Sequence, residues 1–324
     1  MHRDCRKRWG LILAGGDGVR LRPLTRLICG DDRPKQFCPL LGGGATLLDQ
    51  TRQRVAQNVP ADQIAFSLNR EHEEFYLRSL WDCPSRRLVQ PENRGTLPAI
   101  LSGLLWIAQK DPDAIGGIFP SDHYFSDDSV FTESVEQAFH LARRNQDGVV
   151  LVGARPDGPE TEYGWIEVGD QVFDGRDAFQ VREFHEKPPK AMAQLLFERG
   201  SLWNTFVMVG KVVAFLEAIC SARPGLVNLF RQHQVARAPG EEIRLEKSLY
   251  SRLIPGDFSR HVLARETNRL MVQRLGPVAW SDLGDCDRAA AALAHCGSEP
   301  EWATNWRSAK RLATPAGSVA AAVA

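Results

Sequence analysis

An apolar run that breaks into a glycine-rich turn constrains this chain more than any other feature. Residues 10–18 read Gly-Leu-Ile-Leu-Ala-Gly-Gly-Asp-Gly, and the basic residues Arg20 and Lys35 follow the turn. The backbone amides of such a turn, with cations behind them, form a cradle that suits a polyphosphate. The sequence therefore predicts a strand that ends in a nucleotide-binding turn.

Two common phosphate-binding loops do not fit this turn. A P-loop needs Gly-x4-Gly-Lys followed by Ser or Thr, and no Lys-Ser or Lys-Thr pair closes the turn. A dinucleotide fingerprint needs a third glycine for helix-to-strand packing, but Gly18 is followed by Val19, Arg20 and Leu21. Both readings are excluded.

The complete pattern is Leu-Ala-Gly-Gly-x-Gly-x-Arg-Leu-x-Pro-Leu-Thr over residues 13–25, with Pro-Lys at 34–35. It resembles the signature of the sugar nucleotidyltransferases, the nucleoside-diphosphate-sugar pyrophosphorylases. A glycine turn alone is more often merely a tight turn, but so many specified positions together favour the functional reading. The resemblance implies a turn that binds the nucleotide and two cations that hold the departing β- and γ-phosphates. The turn residues are Leu13, Ala14, Gly15, Gly16 and Gly18, and the cations are Arg20 and Lys35.

The composition is typical of a globular cytoplasmic enzyme. The 324 residues are 43% hydrophobic and carry 40 basic and 40 acidic side chains, so no global field favours nucleic acid or an anionic membrane. The seven cysteines include no Cys-x-x-Cys pair, which argues for a reducing cytoplasm and against a zinc site. The apolar run near residue 10 is too short for a signal peptide. No run approaches the ~18 apolar residues of a membrane span.

Short apolar runs of buried-strand length recur at residues 11–14, 64–68, 115–119 and 149–152, with amphipathic segments between them. One of those segments begins behind Thr96, which we expect to be its N-cap. Strands that alternate with helices predict an α/β fold: a Rossmann-like, mostly parallel sheet with helices on both faces. Ligands of such sheets lie at the carboxyl ends of the strands.

From about residue 160 the segments become longer and alternate in polarity, which predicts an added, mixed sheet on the sugar-binding side. We expect a helix over residues 241–252 and strands over 260–264 and 268–272. The last residues, 313–324, are mostly small, which is typical of a frayed end or a weak helix.

These patterns predict one nucleotidyltransferase domain over residues 1–296. Its nucleotide half covers about 9–155 and its sugar-phosphate half about 156–296. A tail at 297–324 is expected to be partly disordered.

Two aspartates far apart in the sequence are candidates for a metal site. Asp122 follows the run at 115–119, and Asp282 lies within Trp-Ser-Asp-Leu-Gly. Alone, an Asp in a turn such as Pro-Ser-Asp-His is more often a turn or cap residue. The family that this chain resembles pairs two such aspartates on one Mg²⁺, an ion that takes one or two carboxylates together with phosphate oxygens. The resemblance therefore implies a Mg²⁺ site on Asp122 and Asp282; His123 is better explained by hydrogen bonding within its turn.

The tripeptide Glu186-Lys187-Pro188 ends a strand-like run. By itself it indicates a surface ion pair before a helix. The family uses a Glu-Lys-Pro here to hold the sugar phosphate, which implies that Lys187 contacts the phosphate and Glu186 the sugar hydroxyls. Lysine suits this role as a compact, mobile charge. The resemblance thus makes Lys187 a catalytic candidate that steers the attacking oxygen.

Two further pairs resemble sugar-binding motifs of the family. Tyr163-Gly164 resembles its Tyr-Gly turn, where a missing side chain lets the sugar approach the backbone. Trp203-Asn204 resembles its Trp-Asn, which implies that the Asn204 amide contacts the sugar ring. Core packing is an equal alternative for Trp203.

Residues 90–96 read Gln-Pro-Glu-Asn-Arg-Gly-Thr. As structure alone this is a loop and a helix cap. Its Arg-x-Thr-x-Pro pattern resembles the stretch with which guanylyltransferases for mannose 1-phosphate receive the base. The residues implied in base binding are Gln90, Asn93, Arg94, Gly95 and Thr96.

The motif order matches that family from residue 9 to about 290. It implies transfer of guanylyl from GTP to mannose 1-phosphate, with Mg²⁺ as cofactor, and release of pyrophosphate. Phe206 stands where the family has a small residue, so another base or sugar stays open. A catalytically silent, sugar-nucleotide-binding paralogue and a homo-oligomer also stay open. A metal-dependent glycosyltransferase would carry Asp-x-Asp after a strand, and residues 121–124, Ser-Asp-His-Tyr, do not fit.

Overall fold

A computed structural model describes residues 7–172, 177–232, 242–295, 300 and 302–306. Its strands are β1 (Arg8–Leu13), β2 (Ile64–Asn69), β3 (Arg87–Gln90), β4 (Ile115–Pro120), β5 (Tyr124–Phe125), β6 (Val149–Ala154), β7 (Gly164–Gln171), β8 (Ala178–Glu186), β9 (Leu202–Lys211), β10 (Ile243–Arg244), β11 (Leu270–Arg274) and β12 (Trp280–Ser281). Its helices are α1 (Arg22–Cys29), α2 (Leu47–Val55), α3 (Glu73–Ser79), α4 (Thr96–Lys110), α5 (Asp128–Arg144), α6 (Lys190–Glu198), α7 (Val212–Ala222), α8 (Pro224–Gln232), α9 (Lys247–Tyr250) and α10 (Cys286–His295).

Ten of these strands form a single sheet in the order β10-β3-β2-β1-β4-β9-β6-β11-β8-β7. The first five strands in that order run parallel to one another. β9 is antiparallel to both β4 and β6, and β8 and β7 extend the far end as antiparallel strands. The α/β prediction is confirmed, and the strands of the sugar-phosphate half continue the first sheet rather than forming a separate one.

Helices cover both faces of the sheet. Neighbouring residues of β1 show this, because Leu11 belongs to the buried cluster that includes residues of α4, α7 and α8, whereas Ile12 belongs to the cluster that includes residues of α2 and α5. Both side chains are fully buried. Alternate burial of this kind is what a strand covered on both faces requires.

Three local predictions are wrong. Thr96 is the first residue of α4 and not its N-cap, since Gly95 holds that position and the Thr96 hydroxyl accepts from Phe258 N at 2.8 Å. Residues Ser259–Leu263 form a π-helical turn instead of a strand. Of the expected helix over 241–252, only Lys247–Tyr250 is α-helical. The preceding residues Ile243–Arg244 pair with β3 instead. Residue 241 lies outside the described part of the chain.

A small third core forms where α1 and α10 meet. Residues 302–306 are helical and join it, with Trp302 Nε1 donating to Leu40 O at 2.9 Å. Of the predicted tail, only these residues and Pro300 are described, so its disorder stays a prediction.

No single helix among the described residues has the length and hydropathy of a membrane span. The bent pair Val212–Ala222 and Pro224–Gln232, 116° apart, meets that test only when its two helices are joined.

Candidate active site

A cleft of about 740 Å³ opens beside the carboxyl ends of β1, β3, β4 and β8. Ten of the predicted site residues line it: Leu13, Gly15, Gly16, Gln90, Asn93, Gly95, Thr96, Asp122, Glu186 and Lys187. A larger cavity of about 1740 Å³ lies along α5 and the segment after β11, and none of the predicted site residues lines it. The glycine turn, Asp122 and the Glu186-Lys187 pair therefore converge on the smaller cleft, whereas Arg20, Lys35 and Asp282 do not line it.

The glycine turn is fixed by contacts that the sequence signature does not show. Gly18 has φ +57°, and a Cβ there would lie 2.9 Å from the backbone N of Lys35. Only glycine fits this position without strain. The side-chain amide of Gln36 donates to Ala14 O at 3.1 Å and to Gly16 O at 2.8 Å, so it holds the turn from behind. Sequence reasoning missed Gln36, although its place directly after Lys35 was a signal.

Lys35 joins the two halves of the candidate metal site. Its buried Nζ lies 3.3 Å from Asp122 Oδ2 and donates to the backbone oxygens of Asp282 and Leu283. Asp122 and Asp282 are 160 residues apart in the chain and both contact this one ammonium group. In this structure Lys35 therefore organises the acidic pair and does not line the open cleft.

Asp282 sits in a dense set of donors. Its Oδ1 accepts from Gly284 N at 2.8 Å and from Tyr163 OH at 3.2 Å, and it lies 3.3 Å from the Arg288 guanidinium. Burial would raise the pKa of Asp282, but the charges of Lys35 and Arg288 and the hydrogen bond from Gly284 N help to outweigh it and hold the pKa below its usual value. The side chain is thus a carboxylate. Sequence reasoning missed Arg288, for which the signature gave no signal.

The donor set at this point fits a hard divalent cation that is completed by phosphate oxygens. Among the contacts of the described residues, Asp282 Oδ2 has no hydrogen-bond partner. Asp122 likewise offers a carboxylate oxygen beside Lys35. Two carboxylates without nitrogen or sulfur ligands suit a hard cation better than a softer metal.

His123 lies beside these carboxylates but has other partners. Its Nδ1 is 3.1 Å from Thr205 O, and its ring meets the Trp280 ring with centroids 5.5 Å apart. Burial lowers the pKa of His123, so the ring is neutral near pH 7. The hydrogen bond supports a structural role for this side chain.

The end of the cleft beside β8 is built around Glu186. A Cβ on Gly164 would lie 2.9 Å from Glu186 Oε2, so the absent side chain makes room for the carboxyl group. Burial raises the pKa of Glu186 to about 7, and Asp257 adds to the rise. Near neutral pH this group is part carboxylate and part carboxylic acid, and can either accept or donate a hydrogen bond.

The other predicted sugar-side residues surround this end. Lys187 and Phe206 both have left-handed backbones, with φ +50° and +61°, and Asn204 Oδ1 accepts from Phe206 N at 3.1 Å. Strained backbone of this kind is common at binding sites. Trp203 packs against Tyr163 with ring centroids 4.9 Å apart, so it belongs to an aromatic cluster behind the cleft.

One carboxylate links the two sides of the cleft. Glu162 Oε2 lies 3.2 Å from Arg20 and 3.9 Å from Lys187 Nζ. All three side chains are about half exposed. The cations that the sequence assigned to different substrates therefore share one counter-ion. Sequence reasoning missed this role of Glu162, although the residue precedes the Tyr-Gly motif.

The predicted base loop is held mainly by contacts to neighbouring segments. The Gln90 amide donates to Ser67 Oγ at 3.1 Å and accepts from Tyr250 OH at 3.1 Å. Arg94 pairs with Glu92 at 3.0 Å, and Asn93 Nδ2 donates to Asp17 at 3.0 Å. Gln90, Asn93, Gly95 and Thr96 line the cleft, whereas Arg94 does not.

A segment that sequence reasoning read as a strand also lines the cleft. Asp257, Arg260 and His261 belong to or flank the π-helical turn and face Glu186 and Lys187 across it. Asp257 Oδ1 accepts from Arg260 N at 2.9 Å, which fixes the start of the turn. Nothing in the local pattern indicated this placement.

A separate group of ligand-type side chains, Glu167, Glu183 and His185, lies on β7 and β8 within the described part of the chain. His185 Nε2 is 2.8 Å from Glu167, and Arg199 is 3.6 Å from the same carboxylate. None of the three lines the cleft. The arrangement is explained as an ion-pair network on the sheet.

Comparisons of the sequence with known proteins find a family model and several related chains. The family model described as "Nucleotidyl transferase" matches residues 9–297. The xanthan biosynthesis protein XanB of Xanthomonas campestris is 31% identical over 279 residues, 85% of this chain and 57% of XanB. A mannose-1-phosphate guanylyltransferase of Escherichia coli K12 is 28% identical over 298 residues, 89% of this chain and 60% of that protein. This chain thus spans less than two thirds of the length of these relatives.

Solved structures give the same architecture. A mannose-1-phosphate geranyltransferase from Thermus thermophilus has a TM-score of 0.73 and 30% identity, and the match covers 86% of this chain and 76% of that one. A UDP-glucose pyrophosphorylase complexed with UDP-glucose, at 15% identity and a TM-score of 0.52, is similar in fold alone.

Proposed function

This chain belongs to the nucleotidyl transferase family, and on that premise we propose that it transfers a nucleotidyl group from a nucleoside triphosphate to a sugar 1-phosphate. The proposed substrates are GTP and mannose 1-phosphate, and the products are GDP-mannose and pyrophosphate. The observation that carries the proposal is the convergence on one cleft of the glycine turn, Asp122 and the Glu186-Lys187 pair.

The chemistry needs alignment more than proton transfer. A phosphate oxygen of the sugar phosphate attacks the α-phosphorus, and the bond from that phosphorus to the β-phosphate oxygen breaks to release pyrophosphate. The sugar phosphate is largely ionised at neutral pH, with a second pKa of about 6, so no general base is required. What remains is to hold two anions in line and to neutralise their charge.

The chain's own cations have distinct proposed tasks. Lys187 steers the sugar phosphate, and Arg20 holds the leaving phosphates beside the glycine turn. Lys35 holds Asp122 and the backbone of Asp282 in place and adds positive charge behind them. Mg²⁺, when bound at Asp122 and Asp282, would neutralise charge on the phosphates. Removing one such electrostatic contact typically costs ~3 to 4 kcal/mol of transition-state stabilisation.

The base and the sugar rest on the relatives and on one motif. Two of the relatives bear names that specify mannose 1-phosphate, one of them a guanylyltransferase. The loop at residues 90–96 offers amide, backbone and hydroxyl groups beside the cleft. A site that hydrogen-bonds a base leaves buried polar groups unpaired when the wrong base enters, which can support discrimination of roughly 10⁴ or more.

The test is pyrophosphate release over a grid of GTP, ATP, UTP, CTP and dTTP against several sugar 1-phosphates. We expect the highest kcat/KM with GTP and mannose 1-phosphate, and no release without a divalent cation. A clear preference for UTP or dTTP would keep the reaction class and overturn the guanylyl assignment. Tight binding of GDP-mannose, with no turnover of any combination of nucleoside triphosphate and sugar 1-phosphate, would instead identify a silent regulatory paralogue.

A further inference from the structure

Two cysteines meet close to the glycine turn. Cys29 ends α1 and Cys38 follows the short helical turn Lys35–Phe37. Their sulfur atoms are 3.5 Å apart. Cys38 is fully buried, whereas Cys29 is half-buried, so one thiol of the pair is open to small solutes.

The segment between these cysteines carries site residues. Cys38 N donates to Lys35 O at 3.0 Å, which couples the cysteine directly to the backbone of the lysine. Lys35 in turn contacts Asp122, and Gln36 holds the glycine turn through two hydrogen bonds. A covalent link between Cys29 and Cys38 would therefore close a loop around the residues that position the acidic pair.

We propose that Cys29 and Cys38 form a reversible thiol–disulfide modification site whose oxidation shifts Lys35 and lowers activity. The oxidant is a hydroperoxide, with hydrogen peroxide as the simplest. The effect on activity rests on the proposed function, whereas formation of the bond does not.

The reaction balances with one equivalent of peroxide. The Cys29 thiolate attacks one peroxide oxygen, the O–O bond breaks, and Cys29 becomes a sulfenic acid as one water leaves. The Cys38 sulfur then attacks the Cys29 sulfur, the S–O bond breaks, and the second water leaves with the Cys38 proton. Two thiols are oxidised to one disulfide and one peroxide is reduced to two waters.

The division of roles follows from the surroundings of each sulfur. Burial raises the pKa of the Cys38 thiol, and the neighbouring Cys29 raises it further. Cys38 is therefore poorly suited to react first with a solute but is in place to resolve a sulfenic acid at Cys29. The sulfurs must approach by roughly 1.5 Å to bond, and the hydrogen bond from Cys38 N to Lys35 O connects that movement to the backbone of Lys35.

The other cysteines of the described residues lack such a neighbour in the structure. Cys83 Sγ donates to Leu80 O at 3.6 Å, and Cys286 Sγ lies 3.9 Å from Arg20 O. Cys220 is exposed on α7. It therefore serves as a control for an exposed thiol far from the pair.

The experiment treats the full chain with hydrogen peroxide and follows intact mass, free thiols and initial rate. Trypsin cleaves after Lys35 and so separates Cys29 in residues 27–35 from Cys38 in residues 36–52. We expect a cross-linked pair of these peptides, lighter by two hydrogens than their sum. The rate should fall by about 10-fold or more, since a misplacement of about 1 Å can cost ~100-fold, and dithiothreitol should restore it.

Variants separate the outcomes. Cys29→Ser should lose both the cross-link and the peroxide sensitivity of the rate, while Cys220→Ser should keep both. Absence of the cross-link in the wild-type chain would overturn the modification site. A cross-link that leaves the rate unchanged would overturn its effect on Lys35. A chain that forms the cross-link but has no nucleotidyl transfer even when reduced would contradict the proposed function alone.

Discussion

Among single residues, Glu186 carries the largest consequence for pH. Its carboxyl has a pKa of about 7 in the folded chain against an ordinary value of 4.5, because burial disfavours the charged form. The folded state thus holds this proton more tightly than the unfolded state. Its contribution is fully present below pH 4.5 and is lost as the pH rises through about 7.

We therefore predict that Glu186→Gln flattens the pH dependence of stability. From pH 4.5 to 8, the free energy of unfolding of the wild type should fall relative to that of the variant by roughly 3 kcal/mol at most. Urea unfolding of both proteins across this range measures it. Glu183→Gln, which changes an exposed glutamate of the same strand, should keep the wild-type slope. Parallel curves for wild type and Glu186→Gln would contradict the raised pKa.

Glu162 yields a prediction about affinity. Its carboxylate pairs with Arg20 and Lys187, so incoming phosphates must compete with it for both cations. On the proposed function, Glu162→Gln should lower KM for both substrates by about 2- to 5-fold, since exposed ion pairs are worth ~0.2 to 1 kcal/mol. Steady-state kinetics with each substrate varied in turn test this. Glu198→Gln, at the exposed end of α6, is the control and should keep the wild-type KM values. A rise in KM for Glu162→Gln would show that Glu162 binds substrate itself.

At the scale of elements, buried strands were the most predictable part of the fold. The apolar runs predicted β1, β2, β4 and β6 to within a few residues, because strands covered on both faces read as continuous apolar segments. The turn at Ser259–Leu263 could not be predicted in this way. Its short apolar pair, Val262 and Leu263, suits either a strand or a helix, and Asp257 decides for a helical turn by capping Arg260 N.

Features that depend on contacts between residues far apart in the sequence could not be predicted from local patterns. β10 exists because Ile243 pairs with Leu88 of β3, a partner that no local pattern identifies. The same holds in the site, where motif residues such as Asp122 and Asp282 could be placed together only by resemblance to a family. Glu162 and Gln36 act through partners 142 and 20 residues away, and Arg288 pairs with Asp282, six residues away; no sequence motif indicated any of these pairings.

The junction between α4 and the π-helical turn gives a prediction at this scale. Gly95 has φ +87°, and a Cβ there would overlap Gly256 O, which also accepts from Leu97 N at 2.9 Å. Gly95→Ala should therefore destabilise the chain by roughly 1 to 3 kcal/mol, through backbone strain and a displaced turn. Thermal or urea unfolding measures it. Gly225→Ala, where a Cβ meets no atom within 4 Å, should leave stability unchanged or slightly raised. Equal stabilities of the two variants would refute this account.

On the scale of the whole molecule, one sheet carries both halves of the cleft. β1 and β4 present the glycine turn and Asp122, while β8 presents Glu186 from the far side of β9, β6 and β11. Asp282 follows β12, which pairs with β5 directly after Asp122. The metal-site candidates are thus brought together by a small two-stranded sheet above the main one, and binding there would connect distant parts of the chain.

A bound nucleotide with its metal should for that reason stabilise the entire fold. With GTP at about 100 times its Kd, binding adds ~2.7 kcal/mol to the free energy of unfolding, or a rise in Tm of roughly 4 °C for a chain of 324 residues. We predict that most of this rise requires Mg²⁺ and disappears with EDTA. In Asp122→Asn and Asp282→Asn the magnesium-dependent part of the rise in Tm should be lost. For each variant the rise is measured from the Tm of that variant without ligand.

The control for this last prediction is Asp170→Asn, an exposed carboxylate on β7 away from the cleft, which should keep the full shift. Because the readout is binding and not turnover, it holds even for a chain that binds nucleotide without transferring it. A variant of Asp122 or Asp282 that retains the magnesium-dependent rise would remove that residue from the metal site. A rise that needs no divalent cation in the wild type would show that the chain's own cations are enough to neutralise the phosphates.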